Sequence, residues 1–140
     1  MFQTTVTVFN RLGDVWYPTV LRQVELMTDR AAIAARYGAQ SNDRAVLLAP
    51  LERYTLAGKH YVMPRIWAEL PHPQAAVTFA AGEAFDFILA GPWPDEKPVC
   101  DSDYGPRGFY DHMNRTRDGV YAVTSVSEFD VIPHLEVTCR

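Results

Sequence analysis

The side chains best suited to chemistry fall in a few short stretches. Asp101-Ser102-Asp103-Tyr104-Gly105 sets closely spaced oxygens ahead of a glycine, as the opening of a calcium loop does. A hard cation wants several oxygen ligands and a tight turn, and also a bidentate glutamate at loop position 12. Counted from Asp101 that position holds His112, so the stretch reads as a solvated acidic turn. Glu83 and Asp86 are the nearest carboxylate pair for general acid–base work. Residues three apart face opposite sides of a strand, so the pair fails in regular strand and is undecided if Glu83 lies in a turn. His60, His72, His112 and His134 are scattered, without the three- or four-residue spacing to another His or Cys that a compact metal site favours. Ser125, Ser127 and His134 lack a Gly-x-Ser-x-Gly elbow to expose a nucleophile. Gly105-Pro106-Arg107-Gly108 has neither the Walker spacing with its lysine nor a dinucleotide fingerprint. The residues therefore predict a protein that is not an enzyme, with no catalytic residue, metal or cofactor.

The elements that would have to position these side chains are mostly strands. Val6 and Val8 share one face of an opening strand that runs through the turn-rich Asn10-Arg11-Leu12-Gly13-Asp14 into Val15-Trp16-Tyr17, a hairpin pattern. Val20, Val24 and Leu26 continue the alternation, with Arg22 interrupting. Thr28 is placed to cap a short helix over about Asp29 to Tyr37, ended by Gly38. Ala45 to Pro50 reads as a short buried strand, and residues 51 to 77, punctuated by Pro64, Pro71 and Pro73, as irregular edges. Val77-Thr78-Phe79 and Phe85 to Leu89 predict a second hairpin around Gly82, and Phe109 to Asn114 one or two helical turns. Strands over Val120 to Val126 and His134 to Thr138 close the chain, with Leu135, Val137 and Cys139 on one face. The fold class predicted is mainly β with one or two short helices, a barrel or sandwich in a single domain over 1–140.

Between Gly91 and Gly108 lie four of the ten prolines, three glycines and four acidic residues. A long structureless connection of this kind inside a compact domain is usually functional or disordered. Of the aromatics, Trp16 and Trp67 suit the core, whereas Trp93, Tyr104 and Tyr110 adjoin this loop and suit an interface.

With 140 residues, 48% of them hydrophobic and 21% charged, the chain is long and apolar enough for one ordered core. No apolar run approaches the roughly 20 residues of a membrane-spanning helix, and Met1 leads into strand without a signal pattern, so synthesis in the cytosol and no membrane partner are expected. Cys100 and Cys139 cannot make a disulfide framework, and Cys139 reads as a core thiol. A net charge of −4 without a basic run argues against direct nucleic-acid binding.

Several pieces together resemble a pattern from the structural gene clusters of tailed bacteriophages and prophages. They are Thr4-Thr5-Val6-Thr7-Val8-Phe9-Asn10-Arg11, Trp16-Tyr17-Pro18-Thr19-Val20-Leu21, Ala31 to Gly38, Phe109-Tyr110-Asp111-His112-Met113-Asn114-Arg115-Thr116, Tyr121 to Val126, and Ile132-Pro133-His134-Leu135-Glu136-Val137. The arrangement is similar to an uncharacterised family of those clusters and, more distantly, to minor capsid and head-closure (stopper-type) proteins. It departs from the stopper pattern at Phe129-Asp130-Val131-Ile132, where a glycine-bearing loop is often found. The resemblance implies a small β-barrel or sandwich that forms a ring of six copies in the neck of the virion, between portal adaptor and tail terminator, and helps retain packaged DNA. Six copies at −4 each would favour sliding of DNA over adhesion. On this reading the 91–108 loop meets the lumen or a neighbouring ring, with Trp93 and Tyr104 as anchors beside Asp95, Glu96, Asp101, Asp103, Arg107 and Tyr110. A tail terminator and a small ligand-binding module with an aromatic platform are the alternatives.

Overall fold

The computed structural model describes residues 4–140. Six antiparallel strands close on themselves. β1 (Thr4–Leu12) pairs with β2 (Val15–Met27) and with β7 (Phe87–Ala90); β7 pairs with β9 (Val120–Phe129), β9 with β10 (His134–Cys139), β10 with β3 (Ala45–Pro50), and β3 returns to β2. Closure removes the exposed sheet edge that an open sheet of this size would carry.

The closure depends on two long strands that change partners. β2 pairs with β1 along its first part and with β3 only through Glu25, Leu26 and Met27. Between the two, the register against β1 shifts and Gln23 takes a φ of 60°. The extra residue turns Leu21 and Val24 to the same buried side, so the simple alternation of Val20, Val24 and Leu26 expected from sequence gives way to a bulged strand. β9 makes the second corner, with Val120 to Ala122 on β7 and Val123 to Phe129 on β10.

The barrel is filled by Val6, Val8, Leu21, Val24, Leu47, Ile88, Leu135, Val137 and Cys139. Cys139 therefore shares its face with Leu135 and Val137, and burial pushes its thiol up to about 12. One end is plugged by Leu56, Tyr61, Val77 and Phe79. These come from a small sheet in which β4 (Thr55–Leu56) and β5 (Lys59–Tyr61) are antiparallel and β5 and β6 (Ala76–Val77) parallel, with α2 (Pro64–Ala68) between them. The stretch expected to be irregular is thus an ordered plug. The expected hairpin of 77–79 with 85–89 does not form, because Val77 and Phe79 are spent on the plug while Phe87 to Ala90 lies between β1 and β9. Polar groups close that turn instead: Asp86 N–H donates to the Ala80 carbonyl at 2.8 Å, and Ala80 N–H to the Asp86 carboxylate at 2.8 Å.

Two helices cover the outside. α1 (Arg30–Tyr37) starts one residue later than expected, since Asp29, not Thr28, accepts the cap bond from Ala31 N–H at 2.9 Å, and it ends at Gly38. Its one buried residue, Ile33, packs on Val46 and Leu48. α3 (Gly108–Thr116) buries Phe109 and Met113, four residues apart on one face, against Phe9, Trp16, Phe87, Leu89 and Val120. Among the described residues no helix is long and apolar enough to cross a membrane.

Candidate functional site

The 91–108 segment is tied to the barrel, not structureless. Val99–Cys100 forms a short strand, β8, against Val15 and Trp16, and Asp101–Tyr104 makes a 3-10 turn. Asp101 fixes this segment. Its Oδ1 accepts from Trp16 Nε1–H at 2.9 Å and from Phe109 N–H at 2.8 Å, its Oδ2 from Arg11 Nη2 at 3.2 Å, and its own N–H donates to the Asp14 carbonyl at 2.7 Å. The bond to Phe109 caps α3 from eight residues away, at a helix start that has no side-chain cap of its own. Burial alone would raise the Asp101 carboxyl, and these bonds together with the Arg11 charge outweigh it and hold the group below its ordinary value. Gly108 is the other half of the joint: its φ is 85°, and a Cβ there would stand 2.6 Å from Asp101 Oδ1.

The predicted loop residues therefore divide. Asp101 points inward, with 17% of its side chain exposed. Trp93 and Tyr104 are half-buried, meeting Phe109 at ring-centroid distances of 5.8 and 4.7 Å, and Tyr110 lies 5.1 Å from Phe87. Asp95 accepts from Lys97 N–H within its own turn, Glu96 lies 4.0 Å from Lys59 Nζ, and Asp103 and Arg107 face solvent. An interface built here has a rigid aromatic footing and an acidic rim.

The remaining chemical candidates do not converge. Glu83 is exposed in the turn while Asp86 is buried, accepting from Asn10 Nδ2 at 2.8 Å and from the N–H groups of Arg11 and Ala80. Burial pushes the Asp86 carboxyl up to about 6 against the pull of those three donors. Its role is to lock β1 to the 80–86 turn. His60 and His72 are exposed, His112 packs against Tyr104 with the rings tilted by 50°, and among the described residues no three His, Cys, Asp or Glu side chains gather as a metal would require. Ser125 bonds Thr138 across the β9–β10 pair at 2.6 Å.

Sequence reasoning missed a second cluster, at the root of the β9–β10 hairpin. Glu136, 6% exposed, accepts from Arg36 Nη2 at 2.5 Å, from the Tyr37 hydroxyl, and from His134 Nε2 at 3.1 Å. His134 Nδ1 lies 2.6 Å from the Ile132 carbonyl, which can only accept, so both ring nitrogens act as donors and the charged imidazolium suits the site. The Ile132 carbonyl and the Glu136 bond accordingly raise the His134 pKa, while the three donors overcome burial and lower that of Glu136. Burial and the Glu136 bond push the Tyr37 phenol up to about 12. With its nitrogens committed, His134 is not a free base.

Beyond this root the hairpin tip is apolar and bare. Val131 is 98% exposed and Ile132 75%, and Phe129, stacked on His134 at 4.8 Å, is also exposed. Tyr54 lies beside the tip, lining one small cavity with Phe129 and Pro133. Tyr54 and Arg53 form a two-residue turn with φ of 59° and 53°, a conformation that costs a residue with a Cβ roughly 1–2 kcal/mol. The signal in the sequence was Val131-Ile132-Pro133, branched apolar residues where a hairpin turn favours Gly, Asn or Asp.

Fold and surfaces together define a small, closed, antiparallel β-barrel with side chains filling its interior and an apolar hairpin tip. The model of a family described as Family of unknown function (DUF6751) matches residues 1–140, and the chain belongs to that family. No curated protein and no solved structure matches it.

Proposed function

We propose that the protein is a non-catalytic assembly subunit of the head–tail connector of a tailed bacteriophage, a stopper-type ring protein that joins head to tail and helps retain packaged DNA. The observation that carries the assembly part is the hairpin tip. Large apolar groups are expensive to leave in water, and a bare patch of them marks an interaction surface. Tyr54, Met63, Ile66, Phe129, Val131 and Ile132 are the exposed large hydrophobics among the described residues. Of these, Phe129, Val131 and Ile132 stand at the tip with Tyr54 beside it.

The place in the virion rests on the sequence resemblance, and the barrel fold is compatible with it. The portal adaptor, the tail terminator and further copies of the chain are the partners on this reading, and packaged DNA passes nearby without sequence-specific contact. A sugar- or ligand-binding platform is less well supported, since Trp93 spends its ring on Phe9, Phe109 and the Arg117 guanidinium. The test is localisation: antibody labelling and reconstruction of virions whose genome encodes the chain should place it as a ring at the neck. Absence from the particle, or a position at the tail tip, would refute the assignment.

A further inference from the structure

We propose that the β9–β10 tip is a knob whose socket is the arginine-rimmed pocket at the far end of β9 on a second copy of this chain. The proposal rests on the assembly reading above and names its contact. The knob is Glu128-Phe129-Asp130-Val131-Ile132, three apolar side chains with a carboxylate on either side of Phe129. The socket is a cavity of about 500 Å³ lined by Thr28, Ser41, Asn42 and Asp43, with the half-buried Tyr121 as its apolar wall and Arg30 and Arg44 beside it. Arg30 reaches only the carbonyls of Asp43 and Ala39, at 3.5 and 3.3 Å, and Arg44 lies 5.1 Å over the Tyr121 ring. Among the described residues neither guanidinium has a carboxylate within ion-pair distance. The one acid in the wall, Asp43, is occupied by the hydroxyls of Ser41 and Thr124 at 3.0 and 3.4 Å. The two carboxylates of the knob thus meet a polar socket whose two arginines outnumber its one aspartate, the charge complementarity that sets register between partners.

Position decides the symmetry. Tyr121 and Phe129 sit eight residues apart on β9, at most about 26 Å at the usual rise. Knob and socket are therefore different patches of the surface, and where each copy gives its knob to one neighbour and its socket to another the contact is head-to-tail and builds rings or filaments.

The test uses the full chain carrying Cys100→Ser, with Ile132→Cys in one preparation and Asn42→Cys, at the socket, in another. Under mild oxidation the mixture should give disulfide-linked pairs, each preparation alone should stay uncrosslinked, and a chain carrying both cysteines should give a ladder. As a second arm, Asp130→Arg and Arg44→Asp should each lower the assembled fraction in sedimentation about tenfold, and the two together should restore it. Thermal melts alongside check that each variant is folded. Crosslinking of Ile132→Cys to itself, oligomers without the Ile132–Asn42 bond, or a strictly monomeric chain at high concentration overturns the docking. The assembly reading fails separately, if the protein is missing from virions.

Discussion

Replacing Asp101 with alanine removes one carboxylate and strands three donors. Trp16, 1% exposed, loses the acceptor of its indole N–H, and Phe109 N–H loses the cap of α3. A buried donor left unpaired costs about 1–3 kcal/mol, and loss of a helix cap typically about 1 kcal/mol. The half-exposed Arg11 guanidinium adds at most about 1 kcal/mol. The expected loss for Asp101→Ala is therefore about 3 kcal/mol, which for a chain of this length lowers Tm by about 10 °C. Asp101→Asn keeps a carbonyl oxygen that can accept from both Trp16 and Phe109, so it should lose about 1 kcal/mol. Urea denaturation followed by tryptophan fluorescence gives both values. If Asp101→Ala stays within about 0.5 kcal/mol of the parent, the ordinary range for surface substitutions, the segment is not held by this carboxylate and the account of the 91–108 region is wrong.

Gly108→Ala forces a Cβ to within 2.6 Å of Asp101 at a φ of 85°, so it should destabilise by about 2 kcal/mol or more, and less in the Asp101→Ala background, where the clash is gone; a double-mutant cycle by denaturation measures the coupling. The His134 pKa is raised in the folded state, so its contribution to stability is complete below the ordinary value of 6.5 and is lost as pH rises through the elevated one. Glu136, lowered, contributes above its ordinary 4.5 and loses that contribution as pH falls through the depressed value. NMR titration should show His134 moving down toward 6.5 in Glu136→Gln; an unchanged midpoint would contradict the assigned pairing. A thiol reagent should label Cys100 in the native protein and reach Cys139 only on unfolding, because Cys139 is fully buried and pushed up to about 12.

The β-rich class, the single domain and α1 were legible because each leaves a local mark: alternation in Val6-Thr7-Val8, and for α1 an alanine-rich run ended by Gly38, although its cap is Asp29 and not the Thr28 expected. Barrel closure left none. It depends on the bulge at Gln23, a residue that gives no hint of a positive φ, and on β2 and β9 each changing partner midway. The Glu136 cluster was equally hidden, since Arg36 and Tyr37 reach it across about 100 residues of chain. The acidic 101–105 turn misled for a related reason. Asp101 and Asp103 look alike in sequence, yet tertiary contacts turn the first inward on Trp16 and leave the second in water.

Apolar periodicity reports which side chains favour burial, but not against what. Trp93 and Val131 make the difference plain. Both stand in Pro-containing loops, yet only the first was read as an interface, and the chain itself half-covers it: Phe9 and Phe109 meet the Trp93 ring at 5.2 and 5.8 Å because the Asp101 joint brings α3 beneath the loop. Nothing comparable reaches Val131. The hairpin root is braced by His134, Glu136, Arg36 and Tyr37, so the tip is held away from the barrel by a polar network that would be disrupted if the hairpin folded back. A tip held outward by an ion cluster around the buried Glu136 leaves Val131 and Ile132 to water in the isolated chain. Burying them then requires a surface supplied from outside the chain, which is why the assembly reading looks to the tip instead of the 91–108 loop.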